Sequence, residues 1–194
     1  QGYYGEANMP CYLIQVTAIT MRKNAIYHDL DNAHREHITW TVLSHESNAY
    51  EALKKVLPTV KAVHIFPHTL GSRITAISIQ KRIPGEARIA GLAAFADTQV
   101  KVSVVVDEDI DVFNEQEVLW AVGTRVVADR DIHIVPDIIG PKLDPTAYDE
   151  TRLQGGTMVS KVTIDATKPI GRPFATRIAP PKDLWELMKL EDYI

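Results

Sequence analysis

Most of the fold follows from one stretch, Val104–Arg125, which reads VVVDEDIDVFNEQEVLWAVGTR. Three valines give way to four carboxylates within five residues, Asp107, Glu108, Asp109 and Asp111. The valines predict the end of a strand buried on both faces, because such strands are continuously apolar rather than alternating. Asn114, followed three residues later by Glu117, predicts a capping-box-like helix start that turns Val118, Leu119, Val122 and Val126 inward. The carboxylates then fall in the turn between strand and helix. Acids at a helix N-terminus are stabilised by the helix dipole by about 0.3–1 kcal/mol each when exposed, which explains them without a ligand. A Mg²⁺ or Ca²⁺ site is the rival, but the D-x-D-x-D-G spacing of a calcium loop is missing, so a structural role is expected and no metal ligand is assigned.

Outward from this stretch, strand-like runs cover 60–66, 74–80, 101–106 and 132–135, with a short one around Lys161–Ile164. A small-residue helix is predicted over 88–96, and another from near Ser47 to Pro58 with Tyr50, Leu53 and Leu57 on one face. Strands alternating with helices at this spacing predict an open, layered α/β sheet. Before it, 11–21 and 24–28 are β-branched and aromatic and predict two strands joined by a turn, while 29–37 is polar and predicts a connector. Residues 136–154, with three prolines and Gly140, predict a long loop. The tail 180–190 predicts a Pro-initiated helix with Leu184, Leu187 and Met188 on its apolar side.

Composition narrows the function classes. With 194 residues and 45% hydrophobic content, the chain can bury one sizeable core. A net charge of −4 with no basic stripe argues against nucleic acid and anionic membranes as partners, and no apolar run could span a bilayer. The single cysteine, Cys11, excludes an internal disulfide and makes the cytoplasm the default compartment. Gln1 in place of Met, with no signal-peptide pattern after it, suggests a piece of a longer polypeptide.

Other candidate sites are weak. His64 and His68 are separated by three residues, but Pro67 and the β character around them deny the shared helical face of a zinc pair. His34 and His37 fall in the polar connector, where solvated side chains are expected. Gly155-Gly156 lacks a G-x-G-x-x-G or G-K-[ST] frame, so a turn is the better reading and a dinucleotide-binding domain is disfavoured. No Ser/His/Asp or Cys/His arrangement stands out.

Taken together, Gly2-Tyr3-Tyr4, ITMRKNAI at 19–26, VVVDEDIDV at 104–112, EVLWAVGTR at 117–125 and SKVTIDA at 160–166 resemble the UbiD-type, prenylated-flavin-dependent decarboxylases. The resemblance spans almost the whole chain and implies reversible decarboxylation of an aromatic, heteroaromatic or α,β-unsaturated acid. The cofactor implied is prenylated FMN, held with a divalent metal and potassium; it supplies the electron sink, and a glutamic acid returns the proton. It further implies that residues 1–43 are the last strands of a split β-barrel and a linker, and 44–194 a C-terminal α/β domain used for homodimerisation or higher assembly.

The family's Glu–Arg–Glu network has its glutamates just before the G-Y-Y motif and its arginine further upstream. None falls within this chain, so the resemblance implies no catalytic residue and no flavin or metal ligand here, and Glu6 is not a substitute. By comparison with the family's fungal cinnamate-type branch, Thr39 and Leu43 would face substrate from a linker helix, Gln99 near the start of a strand, and Leu143 in the loop after Gly140. Lys161 matches a recurrent family lysine. The alternative is a non-catalytic oligomerisation or interaction subunit.

Overall fold

The computed structural model describes residues 12–30, 34–69, 71, 73–141, 144, 146–147 and 157–178. The expected tail helix, Gly2-Tyr3-Tyr4, Leu143 and Gly155-Gly156 lie outside the described residues.

Among the described residues the α-helices and strands follow in the order α1 (Arg35–Val56), β1 (Val60–Ile65), β2 (Ile74–Ile79), α2 (Glu86–Ala93), β3 (Val102–Asp107), α3 (Glu115–Arg125), α4 (Ala128–Asp131), β4 (Ile132–Ile139) and β5 (Met158–Ala166). The strands form one sheet in the order β1-β2-β3-β5-β4. Its centre, β2, β3 and β5, is parallel, and β1 and β4 flank it antiparallel. Parallel neighbours need a crossover, which α2 provides between β2 and β3.

Alternation along the central strands sorts the two cores. Ile77, Ile79 and Val105 pack with Leu53 of α1, Leu57 just after it, and Ala87 and Ala90 of α2. Ala76, Val104 and Val106 pack on the other face with Val118 and Ala121 of α3. Both faces are covered, so the valine run of β3 is apolar throughout, as expected of a central parallel strand. Small residues let α2 approach closely: a Cβ on Gly91 would fall 1.7 Å from Thr163 Oγ1 and 3.0 Å from Ser103 Oγ.

Four local expectations are corrected. The helix expected from Ser47 begins at Arg35, inside the expected connector, with Ile38, Val42 and Leu53 buried along it. Its hydroxyl-rich middle resembles a loop, but Thr41 and Ser47 donate to the carbonyls of His37 and Leu43 one turn back, at 3.3 and 3.2 Å. Residues 12–30 keep the expected turn, at 23–24, but form no strand. β propensity becomes a strand only against a partner ladder, and none of the described residues pairs with this segment. β4 runs past Val135 through Pro136 to Ile139; a register shift and Asp137 at φ 52° absorb the proline, which an edge strand tolerates. In α3, Leu119 is 64% exposed; Ala121 takes the inward position beside Val118.

Candidate functional site

Charged side chains gather at both ends of the parallel strands. At the carboxyl end, Asn114 caps α3 by accepting from the Gln116 backbone N–H at 3.1 Å. Glu117 does not close a capping box; its Oε1 pairs with Arg177 at 2.9 Å. The acidic turn is occupied by the last residue of the opening stretch. Arg125, with its side chain only 1% exposed, bonds Asp107 and Asp109 at 2.9–3.1 Å. Lys168 completes the node: its backbone N–H donates to Asp107 Oδ2 and its Nζ to Asp109 Oδ2, both at 2.6 Å. Burial pushes the Asp107 carboxyl up, against the bond from the Lys168 amide and the fields of Lys81 and Arg125. Desolvation also acts most strongly on Asp109, but hydrogen bonds from Arg125 and Lys168 outweigh it and hold that carboxyl below its ordinary range. Arg177 and Arg125 lie on the Trp120 ring at 4.5 and 5.4 Å, so residues 168–177 are fastened across α3.

At the amino end, Arg73 Nη1 donates to Gln99 Oε1 at 2.6 Å and to the Gln99 carbonyl at 3.2 Å. Asp97 Oδ1 accepts from the Gln99 backbone N–H at 2.9 Å, and its Oδ2 lies 3.3 Å from His45 Nδ1 on α1. Lys161, 1% exposed, reaches from β5 to donate to the carbonyls of Thr98 at 3.1 Å and Asp97 at 3.4 Å. Burial lowers its pKa, opposed by the charge of Asp97. Lys101 pairs with buried Asp144 at 2.6 Å.

Of the four pocket positions expected from sequence, three are described. Thr39 and Leu43 lie one turn apart on α1, and Leu43 is 64% exposed rather than core. Gln99 is half-buried at the amino end, and the His45–Asp97 contact ties its turn to the same helix. Leu143 lies outside the described residues. His64 sits on edge strand β1, where Glu46 Oε1 meets its Nδ1 at 2.6 Å and the Ile65 N–H at 2.8 Å. His68 is in a short 3₁₀ turn, and His34 precedes α1. Arg73, Asp97, Asp144 and Lys168 escaped sequence reading; a position beside a strand end could have signalled Arg73 and Lys168, but not Asp97 or Asp144.

The described residues do not fit a flavin phosphate. Arg125 and Lys168 are already matched by Asp107 and Asp109. The open cleft beside them, about 500 Å³, is lined by Glu108, Asp109, Asp111 and Glu117, with Lys61 at its edge. An anion would be repelled there. Among the described residues no three His, Cys, Asp or Glu side chains gather as a metal site, and no helix is long and apolar enough to cross a membrane.

The geometry defines a class: a layered α/β domain on an open mixed sheet, with ionic nodes fixing the turns at both strand ends. A family model described as the 3-octaprenyl-4-hydroxybenzoate carboxy-lyase C-terminal domain matches residues 39–166, and the chain belongs to this family, UbiD. It is 33% identical to an anhydromevalonate phosphate decarboxylase of Aeropyrum pernix over 81% of this chain and 35% of the relative. It is 34% identical to a gallate decarboxylase of Lactiplantibacillus plantarum over 87% of this chain and 36% of the relative. The structure of the UbiD-class enzyme HmfF from Pelotomaculum thermopropionicum, in complex with FMN, superposes with a TM-score of 0.80 at 38% identity, covering 89% of this chain and 38% of that one. An evolved dimeric form of HmfF, in complex with prFMN, gives 0.70 at 33% identity, over 89% of this chain and 35% of that one. The chain thus spans a little over a third of the length of these proteins.

Proposed function

We propose that these 194 residues are the C-terminal part of a UbiD-type decarboxylase. The complete protein would carry out reversible, non-oxidative decarboxylation of an aromatic, heteroaromatic or α,β-unsaturated acid with prenylated FMN, a divalent metal and potassium. The observation that carries the reading is the family match over 39–166, which begins at Thr39 on α1 and ends with β5. In this reading residues 1–43 belong with the barrel and linker and 44–194 with the C-terminal domain. The division falls within α1, so one continuous helix carries Thr39 and Leu43 and leads into the sheet.

The chain's part is to close one side of the substrate site with Thr39, Leu43, Gln99 and Leu143. Flavin, metal and the proton-returning glutamate belong to the rest of the protein, in keeping with the acidic cleft and neutralised cations described above. The test is flavin retention. Supplied with prenylated FMN and desalted, the complete polypeptide keeps flavin absorbance and the 194-residue chain does not. Retention by the short chain alone overturns the division of labour.

Two-fold self-association of this chain is part of the same reading, and the existence of a dimeric form of HmfF supports it. Light scattering of the 21.7 kDa chain at micromolar concentration should give about twice that mass; a monomer mass at every concentration counts against it.

A further inference from the structure

On the sheet face that carries α3, the helix packs over β3 and β5, and the half formed by β1 and β2 has a loop over it instead: the Phe113 ring meets that of His64 at 5.2 Å. Beside this loop lies the open cleft of about 500 Å³. Its floor includes Ala62 and Ser78, register partners on β1 and β2. Ile77 and Ile79 point into the core shared with α1 and α2, so Ser78 between them points the other way, toward the cleft. Two small side chains here, with no helix above them, are what leave the space.

Ser78 is only 4% exposed, yet its hydroxyl makes no hydrogen bond among the described residues. A polar group held that deep without a partner costs free energy unless something in the cleft bonds it. The carboxylates around it differ in how they are matched. Asp109 has Arg125 and Lys168, and Glu117 has Arg177. Glu108 and Asp111 form no ion pair among the described residues: Glu108 Oε1 lies 3.4 Å from Gln80 Nε2, and Asp111 Oδ1 accepts from the Phe113 N–H at 3.0 Å. Lys61, exposed at the edge, is one charge against two. The remaining wall, Ile110, Val112 and the exposed Phe113 ring, is apolar.

We propose that this cleft binds a small aliphatic amine, a diamine or polyamine, whose ammonium group is taken by Glu108 and Asp111 with Ser78 Oγ as a further acceptor, and whose methylene chain lies along Phe113. An ammonium supplies the donors that these acceptors lack, and the face of an aromatic ring attracts it as well. A metal ion fits less well: no three His, Cys, Asp or Glu side chains gather as a metal site among the described residues, and an apolar wall offers it nothing. The volume is in the range of small-molecule sites. The inference goes beyond the proposed decarboxylase and does not depend on which acid that enzyme uses.

Isothermal titration of the complete polypeptide with spermidine tests it. Wild type should bind with a Kd below about 1 mM, weakened by added salt as an exposed ionic contact is. Asp111→Asn and Glu108→Gln keep shape and acceptors while removing charge, and each should raise Kd about tenfold; Ser78→Ala should raise it about threefold. Glu115→Gln removes a carboxylate from the first turn of α3 that does not line the cleft, and should leave Kd unchanged. Unfolding temperatures measured without the amine show that each variant is folded. Three results would overturn the inference: no binding by wild type, a Glu115→Gln loss as large as that of the cleft variants, or displacement of spermidine by an equal concentration of Mg²⁺. Tighter binding of a blocked lysine peptide than of spermidine would also overturn it, by assigning the cleft to a basic side chain of a protein partner. Loss of decarboxylase activity in the complete polypeptide would leave the titration unaffected, so the two readings fail separately.

Discussion

Arg125 meets Asp109 with both terminal nitrogens, Nη1 to Oδ1 at 3.1 Å and Nη2 to Oδ2 at 2.9 Å, while Nη1 also reaches Asp107. This two-pronged fit uses the planar fork of the guanidinium, which a lysine cannot reproduce. Arg125→Met leaves Asp107 and Asp109 facing each other with Lys168 as the residue still hydrogen-bonded to both, and should cost about 3 kcal/mol in urea unfolding at neutral pH. Arg125→Lys should recover only part of that. A loss below about 1 kcal/mol for the methionine variant would reduce the node to an ordinary surface pair.

Acid should unfold the domain through the carboxylates held low. Asp109, Glu117 and Asp144 all lie below their ordinary values in the folded state. Each contributes stability that is present above its unfolded pKa, about 3.9 for Asp and 4.3 for Glu, and that is lost as pH falls through the lower folded value. Asp107, pushed up, works in the opposite sense: its contribution is present below its ordinary value and disappears as pH rises through the folded one. Glu86 and Asp131 are held low as well, so with five such carboxylates against one among the described residues, stability should be nearly flat between about pH 7 and 5 and fall below about pH 4. Asp144→Asn should cost more at neutral pH than near pH 3, giving a shallower acid limb in unfolding curves. An equal cost at both would contradict the assignment.

The glycines of α2 and α3 make a matched pair. A Cβ on Gly91 meets Thr163 Oγ1 at 1.7 Å and Thr163 Cβ at 2.8 Å, whereas nothing lies within 4 Å of one on Gly123. Gly91→Ala forces α2 off the sheet and should destabilise by about 1–3 kcal/mol, the usual range for overpacking. Gly123→Ala, in the open interior of a helix, should stabilise by about 0.5–1 kcal/mol through the unfolded state. Calorimetric melting temperatures moving in opposite directions would confirm that α2 packs against Thr163 and Ser103 as described.

The layered sheet was legible because its central strands are valine- and isoleucine-rich on both faces, so β1, β2, β3 and β5 stand out without knowledge of partners. The start of α1 was not, because Ile38 and Val42 are its only buried apolar residues in the first turns and the hydroxyls between them imitate a loop. The segment 12–30 shows the converse: its residue types favour strands, but a strand also needs a neighbour. At the site, the acidic turn was visible and its partner Arg125 lay in the same stretch, yet Lys168 is far along the chain and pairs with it only because β5 lies beside β3. Gln99 was reached through family resemblance; its orientation by Arg73, from the other side of α2, is a property of the folded sheet alone.

The central claim is that this chain serves a decarboxylase whose catalytic groups lie elsewhere in the same polypeptide. It is tested most directly by measuring CO₂ release from a panel of aromatic, heteroaromatic and α,β-unsaturated acids, with the complete polypeptide and the 194-residue chain assayed side by side in the presence of prenylated FMN. The account predicts release from at least one acid by the complete polypeptide and none by the short chain. Release by the short chain, or none from any acid by the flavin-loaded complete protein, would contradict it.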